Sequence, residues 1–239
     1  MRSLTVKLKS EAVSFLRIWP VLLILLGAMG NSIYVVAKSP VRHSRQAIGI
    51  NERRQAEQRL WELGYWAGPI DGKFDSASRH ALIAFQKVEG RPRTGNLTST
   101  ELKALLSASR PHPRSEAYGH IEIDLTRQVL FVIDETGTVI RVLPVSTGNE
   151  GHYMDHGQVH RAHTPQGTFK VLRKIDGWRF SSLGQLYYPS YIVNGIAVHG
   201  SLSVPTYPAS HGCIRVPMFA AKELSGLMPV AIEVSVYAS

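Results

Sequence analysis

The stretch HIEIDLTRQVLFVIDETGTVIRVLPVSTG, residues 120–148, decides the fold of the larger part of this chain. Polar and apolar residues alternate through HIEIDLTRQVLFVID, the segment ETGT supplies a turn, and VIRVLPVSTG returns, a pattern that predicts a β-hairpin. Further strands are predicted in GTFKVLRKI, YYPSYIVNG, IAVHG and VAIEVSVYA, and one short helix in PMFAAKELSGLM. Residues 118–238 are therefore predicted to form a mostly β domain, a sandwich or barrel with one helix.

A helical period replaces this alternation in the preceding residues, 52–108. Apolar stripes predict three short helices in RQAEQRLWELGYW, DSASRHALIAFQKVEG and GNLTSTELKALLSA. Asp75 or Ser76 can cap the second of them. Two segments without apolar periodicity, residues 41–51 and 109–117, are predicted linkers. The fold class is thus α+β, a small three-helix bundle followed by a mostly β domain.

The amino-acid composition is typical of a globular protein with a basic surface. The chain has 239 residues, of which 44% are hydrophobic and 19% charged, and this excludes an intrinsically disordered protein. The net charge is +9, which suits an anionic partner. No nucleic-acid-binding motif accompanies the charge, so nucleic acid is not a predicted partner.

Residues 1–40 predict export. A basic lead precedes an apolar run from Ile18 to Met29, which is shorter than the roughly 20 residues of a spanning helix and typical of a secretory signal. If the segment is not cleaved, residues 18–37 are long enough to remain as a membrane anchor. The predicted location is the cell envelope, in the periplasm or on the outer face of the membrane.

Cys213 is the only cysteine, and it lies in PASHGCIRVP, residues 208–217. Exported proteins usually pair their cysteines, so a single one is either an inert buried thiol or a reactive thiol that must stay free. His211 is two residues away, and His199 ends the strand pattern IAVHG. A histidine can accept the thiol proton, and the backbone N–H groups of Gly212 and Cys213 can face an oxyanion.

Two known families resemble these motifs. HGSLSVPTYPASHGCIRV, together with IEIDLTRQVLFVI, PVSTG and HTPQGTFKV, resembles the L,D-transpeptidase catalytic domain over residues 118–238. LGYWAGPIDGKF, ALIAFQKVEG and STELKALL resemble the three-helix peptidoglycan-binding domain over residues 52–108. Two departures stand out: His199 and Cys213 are only 14 positions apart, and FDSAS replaces the more usual Phe-Gly-Pro-x-Thr. The first predicts a small covering loop, and the second puts ligand affinity of the helical domain in doubt.

The resemblance implies a role for each matching residue. Cys213 matches the nucleophile, and His199 matches the group that accepts and returns its proton. The carbonyl of Gly200 would orient that imidazole. His211, a further candidate catalytic residue, and Gly212 match positions that line the pocket and the oxyanion site, and Arg215 matches a position with a structural or substrate-anchoring role. Apart from the resemblance, Tyr188 is a candidate substrate contact. Tyr188 belongs to QLYYPSY, whose aromatic residues, like Trp178, fit either the core, which we favour, or the wall of a cleft.

The implied reaction is acyl transfer on peptidoglycan tetrapeptide stems, with release of D-alanine and formation of 3→3 cross-links. Transfer to water instead of an amine would make the enzyme an L,D-carboxypeptidase. A non-catalytic peptidoglycan-binding protein and a cysteine peptidase of other proteins are the remaining alternatives. The resemblance implies neither cofactor nor metal, and it implies acylation by carbapenem-type β-lactams.

A histidine-rich loop, GHYMDHGQVHRAHTPQG, raises the question of a metal. Its candidate ligands are His152, His156, His160 and His163, with Asp155 as an extra carboxylate. Their spacing matches no established zinc motif, so a polar loop at the edge of the cleft is the prediction that we favour.

Overall fold

The computed structural model describes residues 48–239. The predicted export segment therefore lies outside the described residues. Within residues 48–239 no helix is long and apolar enough to cross a membrane.

Three helices form the predicted bundle: α1 (Ile50–Glu62), α2 (Ser76–Val88) and α3 (Ser99–Ser107). Asp75 caps α2 by accepting hydrogen bonds from two backbone amides of its first turn, as its short polar side chain predicts. The loop between α1 and α2 is organised by the buried carboxylate of Glu57. It accepts hydrogen bonds from the N–H groups of Gly72 and Phe74 at 2.7 and 2.9 Å. The glycine-rich loop is thus pinned to the bundle.

The first sheet has five strands in the order β3-β2-β1-β12-β6. Their bounds are β1 (His120–Asp124), β2 (Val129–Ile133), β3 (Val139–Pro144), β6 (Gly167–Lys170) and β12 (Glu233–Tyr237). The predicted hairpin is the antiparallel β2–β3 pair. Its predicted first arm, HIEIDLTRQVLFVID, is not one strand, because a turn at residues 125–128 divides it into β1 and β2. Strand β1 lies between β2 and β12, and its pairing with β12 is parallel.

The second sheet runs in the order β11-β10-β9-β7, with β8 also paired to β9. Its strands are β7 (Arg173–Lys174), β8 (Trp178–Ser181), β9 (Gly184–Val193), β10 (Ile196–Ser201) and β11 (Ile214–Pro217). A separate hairpin joins β4 (His152–Asp155) to β5 (Gln158–Arg161). The predicted short helix is α4 (Met218–Leu227), which packs against β9 and β10. The predicted α+β class, with a helical bundle and a mostly β domain, is confirmed by this architecture.

The main core lies between the two sheets and α4. Ile121, Ile123, Leu130 and Val132 from the first sheet are at most 3% exposed and share this core with Val198 of the second. Each strand contributes every second residue to it, as the two-residue period of a strand requires.

The outer face of the first sheet is covered by the helical bundle. Val129, Phe131 and Ile133, the alternate residues of β2, are at most 2% exposed and pack in one cluster with Leu60 and Phe85 of the helices. Strand β2 is therefore buried on both faces. The alternation predicted through HIEIDLTRQVLFVID is wrong for its second half, because VLFVI is apolar throughout. Bundle and β domain thus share a hydrophobic interface.

Candidate active site

The site is built on the parallel pair β10–β11. His199 is in register with Arg215, and Val198 with Ile214. Because neighbouring residues in register point to the same face of a sheet, Val198 and Ile214 face the core while His199 and Arg215 face the other way. Cys213 immediately precedes β11 and lines the same cavity as His199. The two residues predicted for nucleophilic chemistry are brought to one cavity.

His199 is held by the backbone of the next residue. Its Nδ1 lies 2.9 Å from the carbonyl oxygen of Gly200. A carbonyl can only accept, so Nδ1 carries the proton in the neutral imidazole and Nε2 retains its lone pair. The contact predicted between Gly200 and the imidazole is present in the structure. It leaves His199 ready to accept a proton at Nε2.

Electrostatics keep both groups uncharged in the free site. Burial lowers the pKa of His199 to about 4, and the positive charge of Arg215 acts in the same direction. Burial also raises the pKa of the Cys213 thiol, against the opposing effects of a backbone hydrogen bond at Ala197 and of Arg215. At neutral pH the site therefore rests as a thiol and a neutral imidazole, and not as an ion pair.

We call residues 202–213, which join β10 to β11, the crossover loop. Near its end Ser210 ties the turn together: Oγ donates to the carbonyl of Cys213 at 2.6 Å and accepts from the N–H of Gly212 at 3.0 Å. Thr164 Oγ1 donates to the Gly212 carbonyl at 2.7 Å. The predicted oxyanion donor at Gly212 is thus already bonded to Ser210, so it would have to exchange partners to bind an oxyanion.

Gly212 and Gly200 are both required by close packing. Gly212 has φ of +134°, and a Cβ there would lie 2.8 Å from the carbonyl oxygen of His163. A Cβ at Gly200 would lie 2.6 Å from Cβ of Ala221 in α4. Side chains at these two positions would push the crossover loop and α4 away from the sheet.

A cavity of about 700 Å³ opens above this face of the sheet. Cys213, His199, His211 and Arg215 line it, together with residues of β4 and of the β8–β9 hairpin. Its size suits a peptide or a small ligand. Within residues 48–239 no carboxylate lies within 4 Å of the Arg215 guanidinium, so that group is available to an anionic ligand.

Tyr188, predicted to contact substrate, is not among the residues that line the cavity. It has φ of +48° and lies in a bulge, where β9 has one residue more than β10 between the Tyr187–Gly200 and Ser190–Val198 pairs. An extra residue reverses the faces of the residues that follow it. Tyr191 therefore faces the cavity, and the Arg173 guanidinium lies 3.6 Å from the centre of its ring.

Trp178 lines the cavity and is 41% exposed, so the preference for a core position was wrong for this residue. Its ring packs on Tyr187 with 4.8 Å between ring centres. The cleft-wall alternative therefore describes Trp178.

The histidine-rich segment forms the β4–β5 hairpin at the edge of the cavity. Tyr153 packs between His160 and His211, with ring centres 5.5 and 4.6 Å apart. Hydrogen bonds to Ser182 and His156 lower the pKa of Asp155. Among residues 48–239 no cluster of three or more histidine, cysteine or acidic side chains could hold a metal ion. Five residues of the site were not predicted, although each lies in a stretch quoted above for another reason: Tyr153, Thr164, Arg173, Tyr191 and Ser210.

Comparison with known proteins gives two family matches. The L,D-transpeptidase catalytic domain matches residues 118–236, and a peptidoglycan binding domain matches residues 50–105. No curated protein matches the chain significantly.

Among solved structures, the chain is similar to residues 123–326 of an L,D-transpeptidase from Xylanimonas cellulosilytica. The two are 41% identical with a TM-score of 0.74, over 78% of this chain and 93% of the other. An L,D-transpeptidase from Stackebrandtia nassauensis is 23% identical with a TM-score of 0.47, over 78% of this chain and 91% of that one. The catalytic domain of an E. faecium L,D-transpeptidase is also 23% identical, with a TM-score of 0.40, over 52% of this chain and 100% of that one.

Proposed function

The chain belongs to the L,D-transpeptidase family of cell-wall enzymes, and on this premise we propose that Cys213 is its nucleophile and His199 its proton carrier. One observation carries the assignment. His199 of β10 and Cys213, which immediately precedes β11, line one cavity, and the Nδ1 proton of His199 is directed to the Gly200 carbonyl. This arrangement supplies a nucleophile and a base with its free nitrogen available.

The first half-reaction acylates the enzyme. Nε2 of His199 takes the proton of the Cys213 thiol as sulfur attacks the carbonyl between the third residue of a tetrapeptide stem and its terminal D-alanine. The carbon–nitrogen bond then breaks, and His199 returns the proton to the departing amine of D-alanine. A thioester between Cys213 and the stem remains.

The second half-reaction transfers the acyl group. The side-chain amine of another stem attacks the thioester, and His199 takes a proton from that nitrogen and passes it to the departing thiolate of Cys213. The product is a 3→3 cross-link. Water in place of the amine gives a tripeptide, which is the L,D-carboxypeptidase alternative.

The negative charge of each tetrahedral intermediate needs hydrogen-bond donors. The backbone N–H of Cys213 is our first candidate. The N–H of Gly212 is the second, after release from Ser210 Oγ, which lies 3.0 Å away in the free site. Removal of one such donor from an enzyme typically lowers kcat by about 10² to 10³.

The charge of the cavity favours an acidic substrate. Arg173, Arg179 and Arg215 line it against a single carboxylate, that of Asp155. Peptidoglycan stems carry carboxylates, so we propose that Arg215 binds one of them, as a guanidinium can do with two parallel hydrogen bonds. His211, packed on Tyr153 at the rim, would contact the stem beside it.

The helical bundle and the first 40 residues complete the proposal. The bundle, at residues 50–105, would dock peptidoglycan, which agrees with the net charge of +9. Residues 1–40 would export the protein to the cell envelope. Carbapenem-type β-lactams would acylate Cys213, because a strained lactam carbonyl is open to the same attack.

The direct test uses the purified full-length chain and its Cys213→Ala variant with disaccharide-tetrapeptides, followed by mass spectrometry. We expect loss of D-alanine and a 3→3 dimer with the wild type and neither with the variant. Tripeptide without dimer would establish the carboxypeptidase. Unchanged tetrapeptide, on stems with either common diamino acid, would contradict the proposal and favour a wall-binding protein.

A further inference from the structure

The crossover loop carries Cys213, yet its middle has no regular secondary structure. Two adjacent carbonyls of the loop accept hydrogen bonds that hold its middle in place. Ser146 Oγ donates to the carbonyl of Tyr207 at 2.8 Å. The other carbonyl, that of Thr206, accepts from Nη1 of Arg93 at 2.9 Å. Arg93 lies between α2 and α3, so the helical bundle reaches across and contacts the loop of the active site directly.

Arg93 also joins the bundle to the β1–β2 turn. Its Nη2 lies 3.4 Å from the carbonyl oxygen of Thr126, a longer contact than the one to Thr206. The guanidinium thus bridges two carbonyls that belong to different parts of the β domain. Because its donors form a rigid planar fork, it also constrains the separation of those two carbonyls.

A second connection runs through the buried Lys87 of α2. Its side chain is 2% exposed, and Nζ donates to the carbonyls of Gln128 and Val145 at 2.9 and 2.8 Å. A buried amine is costly unless its donors are used, and here two backbone carbonyls use them.

From Gln128 the connection continues to the crossover loop. The side chain of Gln128 exchanges two hydrogen bonds with Thr147, at 2.7 and 3.0 Å. The carbonyl of Thr147 in turn accepts from the N–H groups of Ala209 and Ser210, both at 2.9 Å. Ser210 Oγ then donates to the carbonyl of Cys213 at 2.6 Å. Buried hydrogen bonds of this kind stabilise a single backbone conformation.

We propose that Arg93 and Lys87 are positioning residues for catalysis, which hold the crossover loop so that Cys213 keeps its place beside His199. The helical bundle would then be part of the scaffold of the active site, in addition to any role in docking the wall. This inference rests on the proposed function, because it assumes that Cys213 is the reacting group. It assigns neither residue a contact with substrate.

The test compares Arg93→Ala with Arg91→Ala in the full-length chain. Arg91 belongs to the same inter-helix segment but pairs with Glu101 inside the bundle, at 2.8 Å. Loss of either arginine removes one positive charge. Loss of Arg91 breaks an ion pair inside the bundle, and only loss of Arg93 removes a hydrogen bond to the crossover loop. Three quantities are measured for each: kcat and KM on tetrapeptide stems, the rate of Cys213 alkylation by iodoacetamide at pH 8, and Tm.

For Arg93→Ala we expect kcat to fall about tenfold, equivalent to about 1.4 kcal/mol of activation free energy, with KM within twofold. Alkylation should become several times faster, because a looser loop lets water reach a thiol whose pKa is raised by burial. Arg93→Lys keeps a charged donor, so its kcat and its alkylation rate should lie between those of the wild type and of Arg93→Ala. Arg91→Ala should lower Tm at least as much and change neither rate.

Two results would overturn the inference: both rates within twofold of wild type in Arg93→Ala, or the same two changes in Arg91→Ala. The alkylation rate does not depend on the substrate. If the wild type fails to turn over stems, the proposed function is wrong, while the alkylation comparison still decides whether Arg93 holds the loop. Lys87→Met tests the second connection with the same measurements, and Arg93→Ala decides the matter if that buried variant does not fold.

Discussion

Replacement of Gly200 by alanine is expected to destabilise the protein, because α4 lies directly against this residue of β10. The new Cβ would be 2.6 Å from Cβ of Ala221, 3.2 Å from Cβ of Tyr187 and 3.3 Å from Sδ of Met218. The first distance is too short for any contact between carbon atoms, and Ala221 is itself a backbone-anchored Cβ. The helix or the strand must therefore move, and such overpacking costs about 1–3 kcal/mol.

Thermal unfolding measures this cost. For a protein of this size about 1 kcal/mol corresponds to about 3 °C, so Tm should fall by about 3–9 °C. Gly226→Ala in the same helix is the matched control. A Cβ at Gly226 meets nothing within 4 Å, and alanine is favoured over glycine in a helix by about 0.5–1 kcal/mol. The control should therefore raise Tm by about 1–3 °C.

Gly200→Ala should also slow catalysis. Movement of the strand shifts the Gly200 carbonyl, which lies 2.9 Å from Nδ1 of His199. At 25 °C, where both variants are folded, we expect kcat to fall about tenfold for Gly200→Ala and to stay unchanged for Gly226→Ala. A Gly200→Ala variant with the Tm and kcat of the wild type would refute both the packing argument and the orienting role of the carbonyl.

Three further outcomes follow from the structure. The rate of Cys213 alkylation in the free enzyme should rise with pH, and the midpoint of this rise should lie above the ordinary thiol pKa of about 8.5. A midpoint below pH 7 would indicate a preformed ion pair with His199. Burial lowers the pKa of Lys87 to about 7, so between pH 7 and 10.5 the unfolded chain binds more protons than the folded one. In urea unfolding, the free energy of unfolding of the wild type should therefore rise with pH in this range by about 1.4 kcal/mol per pH unit relative to that of Lys87→Met. The same pH dependence in both proteins would contradict this. Tyr191→Ala should raise KM for stems at least fivefold while Tyr188→Ala leaves it within twofold, and the reverse order would contradict the bulge-based assignment.

Sequence pattern predicted the helices and most of the long strands, because these follow one period over their whole length. It did not predict β4, β5 and β8, and the first two lie in a segment predicted as a polar loop. The stripe of α2 and the capping role of Asp75 are local features, and local physics is sufficient for them. Strand β2 is different: VLFVI lacks alternation because helices cover its outer face. That burial depends on residues far away in the chain. The prediction of two domains joined by a linker therefore missed the interface between bundle and sheet.

The site shows the same division. Cys213, His199 and Gly200 could be singled out because they lie in short motifs whose chemistry is readable. Tyr188 was selected from its aromatic segment alone, and the bulge of β9 in which it lies could not be predicted from alternation along the strand. Arg93 and Lys87 gave no signal at all, because a basic residue on a helix or in a loop looks the same in sequence whether it faces water or a carbonyl across an interface.

The parallel pairing of β1 with β12 has a consequence for how the molecule forms. These strands come from opposite ends of the β domain, and β12 also supplies the only neighbour of β6 within the first sheet. Contacts between residues so distant in the chain close slowly, since a long loop must be ordered before they form. A nascent chain that still lacks β12 therefore exposes unpaired edges of β1 and β6. Such edges can pair with other chains, so the protein is most prone to aggregate before β12 is added to the sheet.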